Sequence, residues 1–131
     1  MQTEFAAKVF TLVDATDATD ATDATDATDA AGFSRLFAAQ GRMRFGNNEP
    51  MTGPEEIEAG VGGFFGTIKG LRHTVVREWH SGADSIIEEI VDYYRLAGDT
   101  VTIPAVTIWH VDETGLIDDF RVYFDLAPLF A

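Results

Sequence analysis

SIIEEIVDYYRLAGDTVTIPAVTIWHVDETGLIDDFRVYF, running from Ser85 to Phe124, decides the fold. It holds three runs rich in Ile, Val, Tyr and Thr, residue types that suit a pleated, half-buried backbone. Two turn clusters, Ala97-Gly98-Asp99 and Asp112-Glu-Thr-Gly115, divide them into strands Ser85 to Leu96, Thr100 to Val111 and Leu116 to Phe124. Connections this short join antiparallel neighbours. Just upstream, Leu71 to His80 is a fourth strand, joined through Ser81-Gly82-Ala83-Asp84. The back half of the chain is therefore expected to be a meander of long strands.

The front half has helical spacing. Phe5, Val9 and Leu12 or Val13 recur at helical intervals over Thr3 to Val13. Asp29 can cap a second helix, Ala30 to Ala39, that would bury Phe33, Leu36 and Phe37. A short strand, Arg42 to Phe45, and a turn, Gly46-Asn47-Asn48-Glu49-Pro50, come next. Thr52-Gly-Pro-Glu55 has the form of a capping box with Pro54 in the first turn. The third helix would bury Ile57, Val61, Phe64 and Ile68. The expected class is α+β: a cone-shaped, curved antiparallel sheet wrapped on three helices from the N-terminal half, with a cavity between the layers.

Between the first two helices, Asp-Ala-Thr is repeated five times from Asp14 and runs into Asp29-Ala30. A three-residue period advances about 300° per step on a helix, so the aspartates would spiral around it and leave no apolar face. The expectation is an exposed loop extension, at about 14–29, of one domain spanning 1–131. Removing repeat units should leave stability almost unchanged, because loop-closure entropy varies slowly with length.

Composition narrows the classes. The chain has 131 residues, 46% of them hydrophobic, with ten Phe, enough for a packed core. Without Cys it has no disulfides, thiolate metal sites or cysteine nucleophile. The net charge is −13, with six of those charges in the repeat and hence −7 without it. That balance argues against nucleic acid and anionic membranes as partners. No apolar run reaches the roughly 18 residues of a membrane span. Met1 to Lys8 lacks the apolar run of a signal peptide, so a cytoplasmic location is expected.

Phe45-Gly46-Asn47, Gly70-Leu-Arg-His73, the strand containing Pro104, and Arg121-Val-Tyr-Phe-Asp125-Leu-Ala-Pro together resemble the SnoaL-like proteins of the nuclear transport factor 2-like superfamily. That superfamily includes polyketide cyclases, ketosteroid isomerases, scytalone dehydratases and limonene epoxide hydrolases. The resemblance implies a cone with a pocket at one end, and often a dimer through the outer face of the sheet. It does not carry one of these reactions across intact. Where ketosteroid isomerases have a base, an oxyanion tyrosine and a partner aspartate, this chain has Phe45, a first helix without Tyr, and Thr107. Of the epoxide hydrolase set, Asn47 and Asp92 remain, while Ile90 and Val122 stand where an arginine and an aspartate belong.

Strand alternation assigns the candidate pocket. Glu88, Ile90, Asp92 and Tyr94 are taken as one inward set, matched with Ala105, Thr107 and Trp109 on the next strand and with Phe120, Val122 and Phe124 on the last. Phe45 and Asn47 join them. The expected ligand-contacting residues are Phe45, Asn47, Tyr94, Thr107, Trp109, Phe120 and Val122. Asp92 is the candidate catalytic residue, because a carboxylate among Ile90, Val122 and aromatics would be desolvated and suited to acid–base work. In that case Asp92→Asn would stabilise the fold at neutral pH. The rival role for Asp92 is a rim position, solvated or paired with Arg95 or Arg77. Glu88 reads as rim or surface. His73, at the start of a strand, is a second candidate.

No His-x-His or His-x3-His spacing suggests a metal. The Gly60 to Gly66 cluster lacks the dinucleotide fingerprint. No cofactor is therefore expected. The opposite sheet face, with Tyr93, Arg121 and Tyr123, is expected to form a homodimer. Two functional classes follow: an acid–base isomerase, cyclase or dehydratase acting on a small apolar oxygenated molecule, and a non-catalytic binding or dimerisation module with the same cavity.

Overall fold

The structure, a computed structural model, describes residues 29–130. The expected helix Thr3 to Val13 and nearly all of the Asp-Ala-Thr repeat lie outside the described residues. Two helices are described, α1 (Ala30–Ser34) and α2 (Pro54–Phe65). Six strands are described: β1 (Phe37–Phe45), β2 (Met51–Thr52), β3 (Ile68–Ser81), β4 (Asp84–Arg95), β5 (Thr100–Val111) and β6 (Ile117–Phe124). A single 3-10 turn, Ala127–Phe130, follows β6.

The strands form one sheet in the order β2-β1-β6-β5-β4-β3. The meander β3 to β6 is antiparallel, as its turns require, and Gly82, Gly98 and Gly115 each take the left-handed backbone that its hairpin turn demands. β1 pairs with β6 in parallel, however, which makes the sheet mixed rather than antiparallel. That pairing joins residues about eighty positions apart, and no local signal in either strand encodes it.

α1 is shorter than the spacing of Phe33, Leu36 and Phe37 suggests. Asp29 does cap it, accepting the Gly32 N–H on Oδ1 at 2.8 Å. The chain then leaves the helix, and β1 begins at Phe37 rather than at Arg42. Phe37 is buried either way. As a strand residue it packs on Phe33 and Phe120, with ring centroids 5.3 and 5.7 Å away. Pairing with β6 thus overrides the helix preference of Ala38 and Ala39. Gly41 marks the irregularity in that pairing: a Cβ there would sit 2.6 Å from the carbonyl oxygen of Ile117.

α2 starts at Pro54 with Glu55 and Glu56 in its first turn, where carboxylates complement the helix dipole. Its cap is Gly53 rather than Thr52, and Glu56 accepts the Thr52 N–H at 3.1 Å. The helix buries Ile57, Val61 and Phe65. Phe64 turns half-buried toward the sheet, and Ile68 already belongs to β3, because the helix stops at Gly66. α1 and α2 pack together, and α2 also packs on β1 and β3, so both helices cover one sheet face. The core lies in that layer. Phe33, Phe37 and Phe120 form an edge-to-face triangle at its centre, and Trp109 stacks on Phe120 at 5.7 Å.

Candidate ligand-binding site

Between the helices and the sheet lies a cavity of about 310 Å³. Its deep wall includes Phe33 and Phe120. Asn48, Glu49, Gly60 and Phe130, exposed residues in its lining, mark the mouth. Phe45, Phe64 and Phe124 pack against one another beside that mouth, with centroids 4.8 to 4.9 Å apart along the chain of contacts. Phe64 also meets Tyr93 edge-on at 5.9 Å.

Among the expected contact residues, Phe45, Thr107, Phe120 and Val122 line this cavity. Trp109 does not. It is buried behind Phe120 and belongs to the packed core. Asn47 is exposed, and its neighbour Asn48 reaches the lining instead. His73 is at the cavity wall, half-buried.

The larger correction concerns β4. Its inward set is Ile87, Glu89, Val91 and Tyr93, the opposite parity to the one expected. Asp92 and Tyr94 therefore point to the outer face, and neither lines the cavity. Asp92 accepts a hydrogen bond from the Thr102 hydroxyl at 2.7 Å. It is paired with neither rival arginine. Arg95 clamps Asp99 through Nε and Nη2 at 2.9 and 2.8 Å, and Arg77 pairs with Glu88 at 3.1 Å. The desolvation that motivated Asp92 as a catalytic group is absent at that position. So is the basis for expecting Asp92→Asn to stabilise the fold. By the same parity Tyr93 leaves the outer surface, whereas Tyr123 remains on it.

The residue this places in the cavity is Glu89, 1% exposed. Thr107, 2% exposed, donates its hydroxyl to Glu89 Oε1 at 2.5 Å. Tyr93 lies four residues along the same face. Burial, with the Glu89 charge adding to it, pushes the Tyr93 phenol far above its ordinary value and keeps it protonated.

Alternation alone could not select Glu89. Ile86, Glu88, Ile90, Asp92 and Tyr94 mix apolar, acidic and aromatic residues just as Ile87, Glu89, Val91 and Tyr93 do. One signal could have resolved it. The turn at Ala97-Gly98-Asp99 pairs Tyr94 with Thr100, and counting back along both strands puts Glu89 opposite Ala105, on the face of Thr107 and Trp109.

No group of three His, Asp or Glu residues among the described residues is placed to hold a metal ion. No described helix is long and apolar enough to cross a membrane.

The fold has counterparts among solved structures. A candidate SnoaL-like polyketide cyclase from Jannaschia sp. CCS1 is similar with a TM-score of 0.72 at 18% identity, covering 94% of this chain and 86% of its own. A hypothetical protein of ketosteroid isomerase-like fold from Catenulispora acidiphila, solved with trimethylamine, is similar with a TM-score of 0.70 at 20% identity, covering 76% of this chain and 78% of its own. An NTF2-like protein of unknown function from Burkholderia pseudomallei has a TM-score of 0.71 at 17% identity, covering 89% and 95%. At these identities the likeness shows the fold alone. No match was found among curated proteins. Residues 18–120, most of the chain, match the SnoaL-like domain, and with the strand order and the cavity already described, that match makes this chain a member of the SnoaL-like domain family.

Proposed function

We propose that this protein encloses a small, largely apolar, oxygenated molecule and that Glu89, rather than Asp92, is the group that meets its polar head. One observation carries this reading: a carboxyl group 1% exposed, on the wall of a largely apolar cavity, oriented by the Thr107 hydroxyl. Mainly apolar lining with a few converging polar groups is the usual make-up of a small-molecule site. A carboxyl group within reach of a bound molecule can exchange a proton with it, which suits a glutamate to acid–base work. Isomerisation, cyclisation and dehydration are the reaction types such a group serves without a metal or cofactor. That a solved protein of this fold is in complex with trimethylamine, a small organic molecule, supports the small-molecule reading.

The test has two stages. Ligand-observed NMR against small apolar alcohols, ketones and amines should give binders, and Val122→Phe, which fills the cavity, should abolish them. Bound ligands are then followed in deuterated water. Catalysed exchange of a ligand hydrogen, lost in Glu89→Gln, supports the acid–base reading. Binding without exchange or turnover makes the protein a binding module. No binding at all overturns both.

A homodimer through the outer sheet face is the second part of the proposal. Ile86 faces Ile108, Ile90 faces Pro104 and Val106 faces Tyr123 across the strands of that face. Trp79 is 49% exposed and Tyr123 50%. An apolar strip of this kind marks an interaction surface. Arg77 with Glu88, and Arg121 with Asp119, put both signs of charge beside it, as a self-complementary two-fold contact needs. Light scattering at micromolar protein should give twice the chain mass, and Ile90→Lys should give the monomer.

A further inference from the structure

We propose that the Met51 side chain, resting in a notch at Gly60, is the gate that sets how long a ligand the cavity admits. This rests on the reading of the cavity as a ligand site and adds the residue that selects among ligands by length.

Both residues line the cavity, and Gly60 is one of the exposed residues at its mouth. They come from different elements. Met51 begins β2, just after the mouth residues Asn48 and Glu49. Gly60 lies inside α2, which packs on β2. The join between the two elements is held by hydrogen bonds. The Gly53 N–H donates to the Gly41 carbonyl at 2.7 Å, and the Thr52 N–H donates to Glu56 at 3.1 Å. Met51 pairs directly with Met43 on β1, so the two side chains leave the sheet on the same, inward face.

The glycines of α2 show what the notch is for. Glycine is the poorest helix former after proline, yet this helix holds Gly60, Gly62 and Gly63. A Cβ built on Gly63 would meet nothing within 4 Å, and one on Gly62 would make an ordinary contact with the Ala30 Cβ at 3.6 Å. A Cβ on Gly60 would overlap the Met51 sulfur, with Met51 Cε and Cγ at 3.5 and 3.6 Å. Of the three, Gly60 alone is required by a neighbour. The space left by its missing side chain is the seat of the thioether.

The group in that seat is suited to move. Methionine is unbranched and polarizable, and it fills gaps of irregular shape. Met51 is half-buried, whereas Met43 beside it is 4% exposed. Seated, the thioether lies against α2 and leaves the mouth its width. A methyl group at position 60 removes the seat. An apolar thioether then turns into the apolar cavity rather than into water. There it takes the room of about two methylene groups from a bound chain.

The experiment uses the full chain and a homologous series of probes, the primary alcohols from butanol to decanol. Ligand-observed NMR measures the affinity of each and the longest that enters. Gly60→Ala should shorten that limit and weaken the longest bound alcohol about tenfold, the scale of two methylenes left out of an apolar site. Met51→Ala should extend the limit. The double variant should behave as Met51→Ala does, because without the thioether the methyl at position 60 displaces nothing. Gly63→Ala is the control. It brings the same gain in helix propensity without the overlap, and it should keep the wild-type limit. The Met51 methyl resonance should shift in Gly60→Ala and hold in Gly63→Ala. Because Gly60→Ala favours the helix, it decides the question even where Met51→Ala folds poorly.

A limit unchanged or lengthened in Gly60→Ala overturns the gate. So does an equal shortening in Gly63→Ala, or a double variant as restricted as Gly60→Ala. In each of those cases, alcohols that bind and are excluded by Val122→Phe leave the pocket reading standing. If no alcohol binds any of these proteins, the gate is overturned too, and the pocket reading falls with it only where ketones and amines also fail.

Discussion

Two threonine–carboxylate pairs bridge the same two strands from opposite sides of the sheet. On the inner face Thr107 donates to Glu89, and on the outer face Thr102 donates to Asp92. Both bonds join β5 to β4, with lengths of 2.5 and 2.7 Å. What separates them is the medium. Glu89 and Thr107 are buried in the cavity wall, whereas Thr102 is exposed and Asp92 only partly covered. A hydrogen bond in water replaces one with the solvent and contributes little net, whereas a buried polar group that loses its partner is left with the full desolvation penalty. The same chemistry is therefore a surface detail on one face and a candidate binding group on the other.

The largest effect should come from reversing the charge on each face. Glu89→Lys should destabilise the fold by at least about 3 kcal/mol, the scale of leaving an uncompensated charge buried. Asp92→Lys should change stability by no more than about 0.5 kcal/mol, as surface substitutions do. Urea melts of both variants at dilute protein measure this. Equal losses would mean that the two faces are not differently solvated.

Next come the hydroxyls. Thr107→Val should cost about 1 to 3 kcal/mol, because the Glu89 carboxyl loses a buried donor. Thr102→Val should stay within about 0.5 kcal/mol. Thermal melts at one pH compare the pair directly.

A smaller effect, confined to alkaline solution, separates Tyr93 from the surface. Its folded pKa is raised by burial first and by Glu89 second. In the unfolded chain a tyrosine ionises near the ordinary value of about 10. Between those two values the folded state holds a proton that the unfolded state has lost, so stability is full below about pH 10 and falls as the pH rises above it. Tyr93→Phe should remove that fall. Melts across the alkaline range, with tyrosinate absorbance as the titration signal, test it. An alkaline slope unchanged in Tyr93→Phe would assign the loss to other groups.

The smallest effect belongs to the outer rim. The hydrogen bond that His110 Nδ1–H donates to the Asp118 carboxylate, 2.6 Å long, holds the His110 pKa above its ordinary value, with Asp84 and Asp119 adding to it. A raised folded pKa means a contribution that is complete below the unfolded value of about 6.5 and lost as the pH rises through the folded one. NMR titration of His110 should show the raised value, and Asp118→Asn should lower it. Because the pair is exposed, the change in melting temperature should be slight.

The strands were legible from the sequence because their signals are local. Val, Ile, Tyr and Thr runs punctuated by Gly98 and Gly115 gave β5 with its ends unchanged, and β4 and β6 to within one residue. Pro54 and the following acids located the start of α2 in the same way. On β6, Phe120, Val122 and Phe124 alternate with Arg121 and Tyr123, so the inward face could be read directly. Phe45, Thr107, Phe120 and Val122 were accordingly placed on the cavity side.

Tertiary structure decided the rest, wherever two local readings were equally good. Phe37 satisfies burial as a helix residue or a strand residue, and only pairing with β6 makes it a strand. β4 carries an acid, a tyrosine and branched aliphatics on both faces, so its hydrophobic pattern has no sign. The register with β5 supplies the sign, and with it the choice of Glu89 over Asp92. Composition and spacing thus determined that this chain makes long strands and a helix over an aromatic layer. Which carboxylate that layer encloses depends on inter-strand hydrogen bonding, because a one-residue change of phase moves every side chain to the other face.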